Sequence, residues 1–235
     1  MIHICSACGY DRLIQPPNKT IGIDSPIPCA ACGFEFKTGD DPRGEANGNQ
    51  WRERWIQEGR PWFSKTENPP EGWDPTRPIY RVKAFFAIRG LSDRIREFHA
   101  SSATVELAAA AVGVAPARIA KTLSFHSAKD GCMLVVTAGD QKIDNMKFKT
   151  VFGIKAKMLT PDEVLERLNY EVGGVCPFDL PSPTPVYLDL SLCRFDFVYP
   201  ACGSANSAAR LTCEELYALS AASAWVDVSK GVQSI

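Results

Sequence analysis

Histidine is nearly absent from this chain. Among 235 residues there are three, His3, His99 and His126. None sits in an H-E-x-x-H pair, and there is no G-x-S-x-G, so the motifs of zinc proteases and of serine hydrolases of the α/β class are missing. A surplus of one charge is missing too. The 26 basic and 27 acidic residues leave a net charge of −1, so contact with nucleic acid requires a local patch. No apolar run reaches the length of a membrane span, and Met1-Ile2-His3-Ile4-Cys5 does not read as a signal peptide. A cytoplasmic protein with no membrane partner is expected.

Cysteine, in contrast, is plentiful. There are nine, an odd number. Four fall in two copies of one short motif, Cys5-Ser6-Ala7-Cys8-Gly9 and Cys29-Ala30-Ala31-Cys32-Gly33. Two thiolates two residues apart can grip one ion from a tight turn. The following glycine permits a positive φ that turns backbone N–H groups toward the sulfurs. Two such knuckles make a closed S4 site suited to structural zinc, with no open position for catalysis. Metal-bound cysteines in a reducing compartment explain the count better than a disulfide framework. A redox C-x-x-C would belong with a βαβ pattern, which is not seen here.

After Phe34-Glu35-Phe36 and the acidic Asp40-Asp41, Trp51, Trp55 and Glu58 follow helical spacing, Gly59 is placed to end the helix, and Trp62-Phe63 folds back. So dense an aromatic set in a small module reads as its core. Residues 1–63 resemble the small cysteine-rich CPCC domain, which implies a zinc-ribbon-like fold; Ala30-Ala31 stand where that family commonly has Pro-Cys. Residues 64–82, with Pro69, Pro70, Pro75 and Pro78, read as an extended linker.

From residue 83 to 235 the pattern is that of a mixed α/β domain. Leu91, Ile95 and Phe98 suggest one helical face, and Val105 to Val112 a second helix stopped by Gly113. Strands are expected at 121–126 and 132–138 around the hairpin signal Asp130-Gly131. Further strands are expected near 154–158, 186–190, 195–199 and 208–211 and at 225–228, and a helix near 144–152. Thr160-Pro161-Asp162-Glu163 and Thr212-Cys213-Glu214-Glu215 are capping boxes that open helices. Elements in this order imply an α/β (α+β) fold with a mixed or largely antiparallel sheet.

Within that pattern one octet carries chemistry, Arg118-Ile119-Ala120-Lys121-Thr122-Leu123-Ser124-Phe125. Lys121 lies among core-forming residues, so its ammonium must either snorkel to an edge or face a polar cleft that holds a phosphate or a carbonyl oxygen. Glu171-Val172-Gly173-Gly174-Val175-Cys176-Pro177-Phe178 is a loop whose glycines let backbone N–H groups converge on an oxygen. Tyr199-Pro200-Ala201-Cys202-Gly203-Ser204-Ala205-Asn206-Ser207 is a second loop of small residues.

Together with Thr137-Ala138-Gly139-Asp140-Gln141-Lys142-Ile143-Asp144, these motifs resemble in order and spacing the YbaK/ProX (EbsC-type) family, free-standing relatives of the prolyl-tRNA synthetase editing domain, over about residues 85–231. The resemblance implies a mixed, barrel-like sheet with surrounding helices. It also implies trans-editing, the hydrolysis of the ester that joins a wrong amino acid to the 3′-terminal adenosine of a tRNA, with no catalytic cofactor. The family's invariant lysine falls on Lys121 and its G-x-x-x-P loop on Gly173 to Pro177. Lys121, Gly173 and Gly174 are then the catalytic candidates. Asp140, Lys142, Val175, Cys176, Pro177, Ala201, Cys202 and Gly203 are the substrate-binding candidates. Ala201 stands where many members carry serine, and Cys202 replaces a small residue. Small walls at 201 and 202 facing the apolar Val175 and Cys176 suit an uncharged small amino acid such as alanine, cysteine or serine. Cys176 and Cys202 have no histidine in sequence reach and do not read as nucleophiles. Lys142, Lys147, Lys149, Lys155 and Lys157, against Asp144 alone, form a stretch that can track phosphates or simply a solvated face. Mischarged aminoacyl-tRNA is the expected partner, with a synthetase or another translation protein as a further one. The competing reading is a non-catalytic tRNA- or protein-binding protein whose zinc-ribbon module recruits a partner.

Overall fold

The structure is a computed structural model that describes residues 3–13, 28–35, 45–128, 131–181 and 184–231. Phe36, Asp40, Asp41 and Asp130 lie outside those residues. The chain divides into two compact units, Met1–Asp93 and Arg94–Ile235.

In the first unit both knuckles close in the same way. Gly9 N–H donates to the Cys5 carbonyl at 2.9 Å and Gly33 N–H to the Cys29 carbonyl at 2.7 Å. Both glycines have the positive φ that the motif requires, +79° and +72°. Helix α1, Glu45–Gln57, lays its tryptophans on them: Trp51 Nε1 donates to the Cys32 carbonyl at 3.0 Å, and Trp55 is buried. Phe63 and Ser64 return to pair with the carbonyls of Ala31 and Ala30. The aromatic residues therefore form this unit's core around the cysteines, with Tyr10, Trp62 and Trp73 in edge-to-face contact.

Helix α2, Pro78–Ile88, starts inside the stretch expected to be a linker. Pro78 occupies its first turn, where the missing N–H costs nothing. Its buried face is Ile79, Val82, Ala84 and Phe86, and its buried Lys83 is paired with Asp11. The first unit thus runs on past Lys83 to Asp93.

Leu91, Ile95 and Phe98 do not form a helix. Ser92–Arg94 is a 3-10 turn and Ile95–Glu97 is strand β1, which pairs antiparallel with residues 207–209. Three apolar residues over so short a span cannot decide between the two periods, and the pairing partner is distant in sequence. Helix α3, Val105–Val112, is capped by the Thr104 hydroxyl and ended by Gly113 in the left-handed region.

Strands β2 (Ile119–His126) and β3 (Cys132–Ala138) form an antiparallel pair in register from Ala120↔Ala138 to His126↔Cys132. Helices α4 (Asn145–Phe152) and α5 (Pro161–Leu168) follow, the second opened by the expected capping box at Thr160. Strand β4 (Val186–Asp189) lies parallel to β3. After a 3-10 turn at Leu190–Arg194 come β5 (Tyr199–Pro200), β6 (Ser207–Ala209, the partner of β1), α6 (Cys213–Leu219, with its capping box at Thr212) and β7 (Ala224–Val226).

The main sheet has the order β5-β2-β3-β4-β7, antiparallel only at β2·β3. Among the described residues β5 and β7 are not paired with each other, and the bridges Ala201↔Ala208 and Val198↔Leu211 lead on from β5 toward β6. The stretch expected as a strand at 154–158 only touches β2, through the bridge Phe125↔Met158. The one expected at 195–199 is reduced to β5 by the 3-10 turn before it. Every residue of β3 is buried. Met133 and Val135 pack with Phe125 and Phe148 on the α4 side, and Leu134 and Val136 are covered on the other. The buried Asp189 carboxylate at the end of β4 accepts from Ser191 N–H, Val228 N–H and the Ser229 hydroxyl. It so ties the 3-10 turn to the last strand's exit.

Candidate active site

Strand β2 brings Lys121 out beside the end of β3. Its Nζ donates to the Gly139 carbonyl at 3.1 Å and to the Gln141 carbonyl. Burial lowers the lysine's pKa, and the charges of Asp140 and Glu106 work against that shift. The lysine therefore does not snorkel freely: a turn of backbone oxygens anchors it with two of its three donors.

The 138–142 turn that anchors Lys121 is itself braced. Ala138 N–H donates to the Ser191 hydroxyl at 3.2 Å. Arg194 clamps Asp140, and this ion pair holds the Asp140 carboxyl below its usual range. Gly139 packs so tightly that a Cβ there would lie 2.1 Å from the Pro116 carbonyl oxygen and 2.6 Å from Val105 Cγ1. No residue with a side chain fits.

The two glycine loops form a second cluster. A Cβ on Gly173 would lie 3.1 Å from Ala103 Cβ and 3.4 Å from Ala205 Cβ. A Cβ on Gly174 would lie 3.0 Å from Ser204 Cα. So Gly173 and Gly174 abut Gly203, Ser204 and Ala205, as the pairing of these loops requires. The two clusters meet at the start of α3, where Ala103 touches Gly173 and Val105 touches Gly139. Sequence reasoning missed this hub, because nothing in Ala103-Thr104-Val105 marks it apart from the Thr104 cap.

Several site expectations change in the structure. Gly174 N–H donates to the Glu171 carbonyl at 3.0 Å, so it is committed to the turn and is not a donor for a reacting oxygen. Its role is close approach. Gly173 N–H has no acceptor among the described residues. Cys176 and Cys202 are wholly buried and are not walls of an open pocket. The Cys176 thiol donates to the Tyr170 hydroxyl at 3.3 Å, and burial pushes the Cys202 thiol well up, with Cys176 adding to the shift. Cys202 therefore lacks the depressed pKa of a nucleophile. Pro177 and Gly203 are also buried, whereas Val175 and Ala201 are half-exposed. Asp140 and Lys142 are exposed beside Lys121.

A cavity of about 330 Å³ opens on the α4 side of Lys121. Lys142 lines it too, but the two glycine loops do not. Arg194 and Asn145 are features of this region that sequence reasoning left out, while Gly139 and Gln141 stood only within a motif, with no role of their own.

The second-unit fold and these motifs agree with what the chain is similar to. The sequence model described as the aminoacyl-tRNA editing domain matches residues 99–219. The chain belongs to this family. Uncharacterized protein YwhH of Bacillus subtilis (strain 168) is 52% identical over 149 residues, which are 63% of this chain and 95% of that protein. Proline–tRNA ligase of Bacillus pumilus (strain SAFR-032) is 31% identical over 90 residues, 38% of this chain and 16% of the ligase. A solved structure described as a candidate trans-editing enzyme for prolyl tRNA synthetase superposes with a TM-score of 0.60 at 32% identity, covering 68% of this chain and all of that one. The editing domain thus accounts for the second unit, and its matched span contains Lys121 and both glycine loops.

In the first unit, the sulfurs of Cys5, Cys8, Cys29 and Cys32 lie within 4.8 Å of one another, close enough to bind one metal ion. The Cys5–Cys32 and Cys8–Cys29 separations are 3.8 and 3.7 Å. Burial raises the Cys5 and Cys8 thiols, while hydrogen bonds from the other three sulfurs lower Cys29. No described helix is long and apolar enough to cross a membrane.

Proposed function

We propose that the chain is a cytoplasmic, trans-acting aminoacyl-tRNA deacylase that removes a small amino acid from a mischarged tRNA. The observation that carries this reading is Lys121, anchored by the Gly139 and Gln141 carbonyls at the mouth of a cavity and inside the span that matches the editing-domain family. Water adds to the acyl carbon, the bond from that carbon to the ribose oxygen breaks, and the proton from water passes to the ribose oxygen. An aminoacyl ester is already activated, so positioning and charge stabilisation supply most of the acceleration. Lys121 uses its remaining donor on the terminal phosphate or the acyl group. Gly173 N–H, with no acceptor among the described residues, faces the developing oxyanion.

The small-amino-acid reading rests on Ala103, Gly173 and Ala205, which leave little room around the glycine loops, and on the small side chain of Ala201. Pockets of this kind separate substrates by about 10–200-fold per methylene, so leakage among small residues is expected.

In the first unit the ion is read as zinc. Sulfurs bound at about 2.3 Å in a tetrahedron lie about 3.8 Å apart, which matches the two separations seen here. Zinc there would hold the two knuckles together, and the module would serve recruitment of tRNA or of a translation protein.

A panel of mischarged tRNAs tests the function. Deacylation above the buffer rate, fastest for alanine, cysteine or serine esters, is expected. Hydrolysis of none of the panel would overturn the enzyme reading, and preference for a bulky aromatic ester would overturn the specificity.

A further inference from the structure

The hydroxyl of Thr137 is buried without a hydrogen bond to any described residue. Thr137 lies in β3 and is 0% exposed. A hydroxyl left in this state costs free energy that a valine of the same shape would not. The rest of β3, Cys132 to Val136 and Ala138, is apolar, so the packing of the strand does not ask for threonine here.

The strand register gives the hydroxyl a neighbour. Thr137 is directly opposite Lys121 in the β2–β3 pair. Directly opposed side chains share a face of the sheet, with Cβ atoms about 5 Å apart. On that face Lys121, Leu123 and Phe125 line the cavity. Thr122 also has a hydroxyl without a partner, but it follows Lys121 along β2 and so points to the opposite face. The lysine reaches along the end of β3 to the Gly139 and Gln141 carbonyls, which take two of its three N–H groups. The third has no acceptor among the described residues. A donor and a hydroxyl oxygen therefore remain on one face of one strand pair. They are not in direct contact, and a single water is what spans such a gap.

The charged groups around the lysine are engaged elsewhere. Asp140 is gripped by Arg194. Glu106, on α3, and Lys142 act on the ammonium through their charge alone. Asp189, which the Val136↔Leu188 pairing brings beside Thr137 on β4, already accepts three hydrogen bonds. Lys147, on α4, is paired with Asp227. Thr137 does not itself line the cavity, so it can act on a reaction there only through Lys121.

We infer that Thr137 is a positioning residue for Lys121: in the free protein its hydroxyl holds the third N–H of the ammonium through one bridging water, and substrate takes that N–H over on binding. The inference rests on the deacylase reading for the identity of that substrate. The seat keeps the ammonium charged and aimed in a place where burial works against its charge.

The test uses the full-length protein. The Lys121 ammonium is titrated by NMR, with its signal identified by its loss in Lys121→Ala, and a pH–rate profile is recorded beside it. Thr137→Val keeps the shape of the side chain and removes the hydroxyl. It is expected to lower the proton affinity of Lys121 about three- to tenfold, the scale of one net hydrogen bond. The alkaline limb of kcat/KM, which reports the free protein, should move to lower pH by the same factor, and the limb of kcat, which reports the complex, should stay. Thr137→Ser should restore the wild-type titration. A threonine with no role beyond packing predicts a Thr137→Val protein at least as stable as wild type in which Lys121 titrates unchanged, and that result would overturn the inference. So would a kcat limb that moves together with the kcat/KM limb, because the N–H would then not be handed over. A lowered, serine-rescued titration in a protein that hydrolyses none of the esters would leave the seat standing and remove the deacylase.

Discussion

Arg194 holds Asp140 in a two-pronged grip, Nη1 to Oδ2 at 3.0 Å and Nη2 to Oδ1 at 2.6 Å. Asp140 sits between the two residues whose carbonyls anchor Lys121. The pair is about one-third exposed, so its worth lies in geometry more than in stability.

Arg194→Ala should therefore cost at most about 1 kcal/mol of folding stability but should lower deacylation several-fold, by loosening the turn under Lys121. Arg194→Lys should recover charge without the fork and rescue only in part. Because the pair lowers the Asp140 pKa, its stabilising effect is present above the usual aspartate value and is lost as pH falls through the lowered one. Urea titrations at neutral and acid pH should show the variant's deficit shrinking on the acid side. An unchanged rate in Arg194→Ala would separate this clamp from catalysis.

Lys121→Ala should cut kcat/KM at least tenfold, since a charge-assisted contact is worth about 1.5–3 kcal/mol. The fold should survive, because the cation is half-buried and folding disfavours its charge. Near-normal activity would remove the lysine from the site.

The direction of the Lys121 shift also sets a pH dependence. With its folded pKa lowered, the ammonium is lost below the ordinary lysine range, so corrected for buffer hydrolysis, activity should fall there. Stability should move the other way, rising as pH climbs from the lowered pKa toward the usual one. A pH–rate profile in Lys121→Ala that kept the same alkaline limb would assign it to another group.

Gly139→Ala should damage the protein more than Gly173→Ala. The new methyl would meet the Pro116 carbonyl at 2.1 Å, against 3.1 Å from the Ala103 methyl for Gly173. Overpacking of the first kind costs about 1–3 kcal/mol. Thermal unfolding of Gly139→Ala against wild type decides it, and an unchanged midpoint would count against the crowded contact; Gly173→Ala carries in addition the strain of its φ of +92°.

Elemental analysis of freshly purified protein should find one zinc per chain. Chelation should change the near-ultraviolet signal of Trp51 and Trp55, which pack on the knuckles, while leaving deacylation intact, because a four-sulfur site offers no open position. Metal-free protein with native tryptophan signals would reject the zinc reading.

What the sequence reveals of this protein follows the range of each interaction. The capping boxes at Thr160 and Thr212 and the twin knuckles are written within a few residues, and the structure contains all of them. Lys121 and the glycine loops are visible as odd residues in apolar or turn surroundings. The Arg194–Asp140 clamp, the pairing of β1 with β6 and the hub at Ala103 join positions far apart in the chain, and no local pattern encodes them. Pro78 is a different case: its helix-opening role was legible and was masked by the other prolines around it. The occupied amide of Gly174 depends on a carbonyl three residues earlier whose direction composition cannot give.

The order of strands in the main sheet bears on synthesis. The β2–β3 hairpin is a local pairing that can form as soon as it leaves the ribosome, with Lys121 already on it. Strands β4, β5 and β7 join by parallel pairing across long separations, and the small-residue loop at 201–207 arrives between them. A nascent chain therefore displays Lys121 before residues 171–178 and 201–207 have been made, and the two loops meet only after the hairpin that carries the lysine can form.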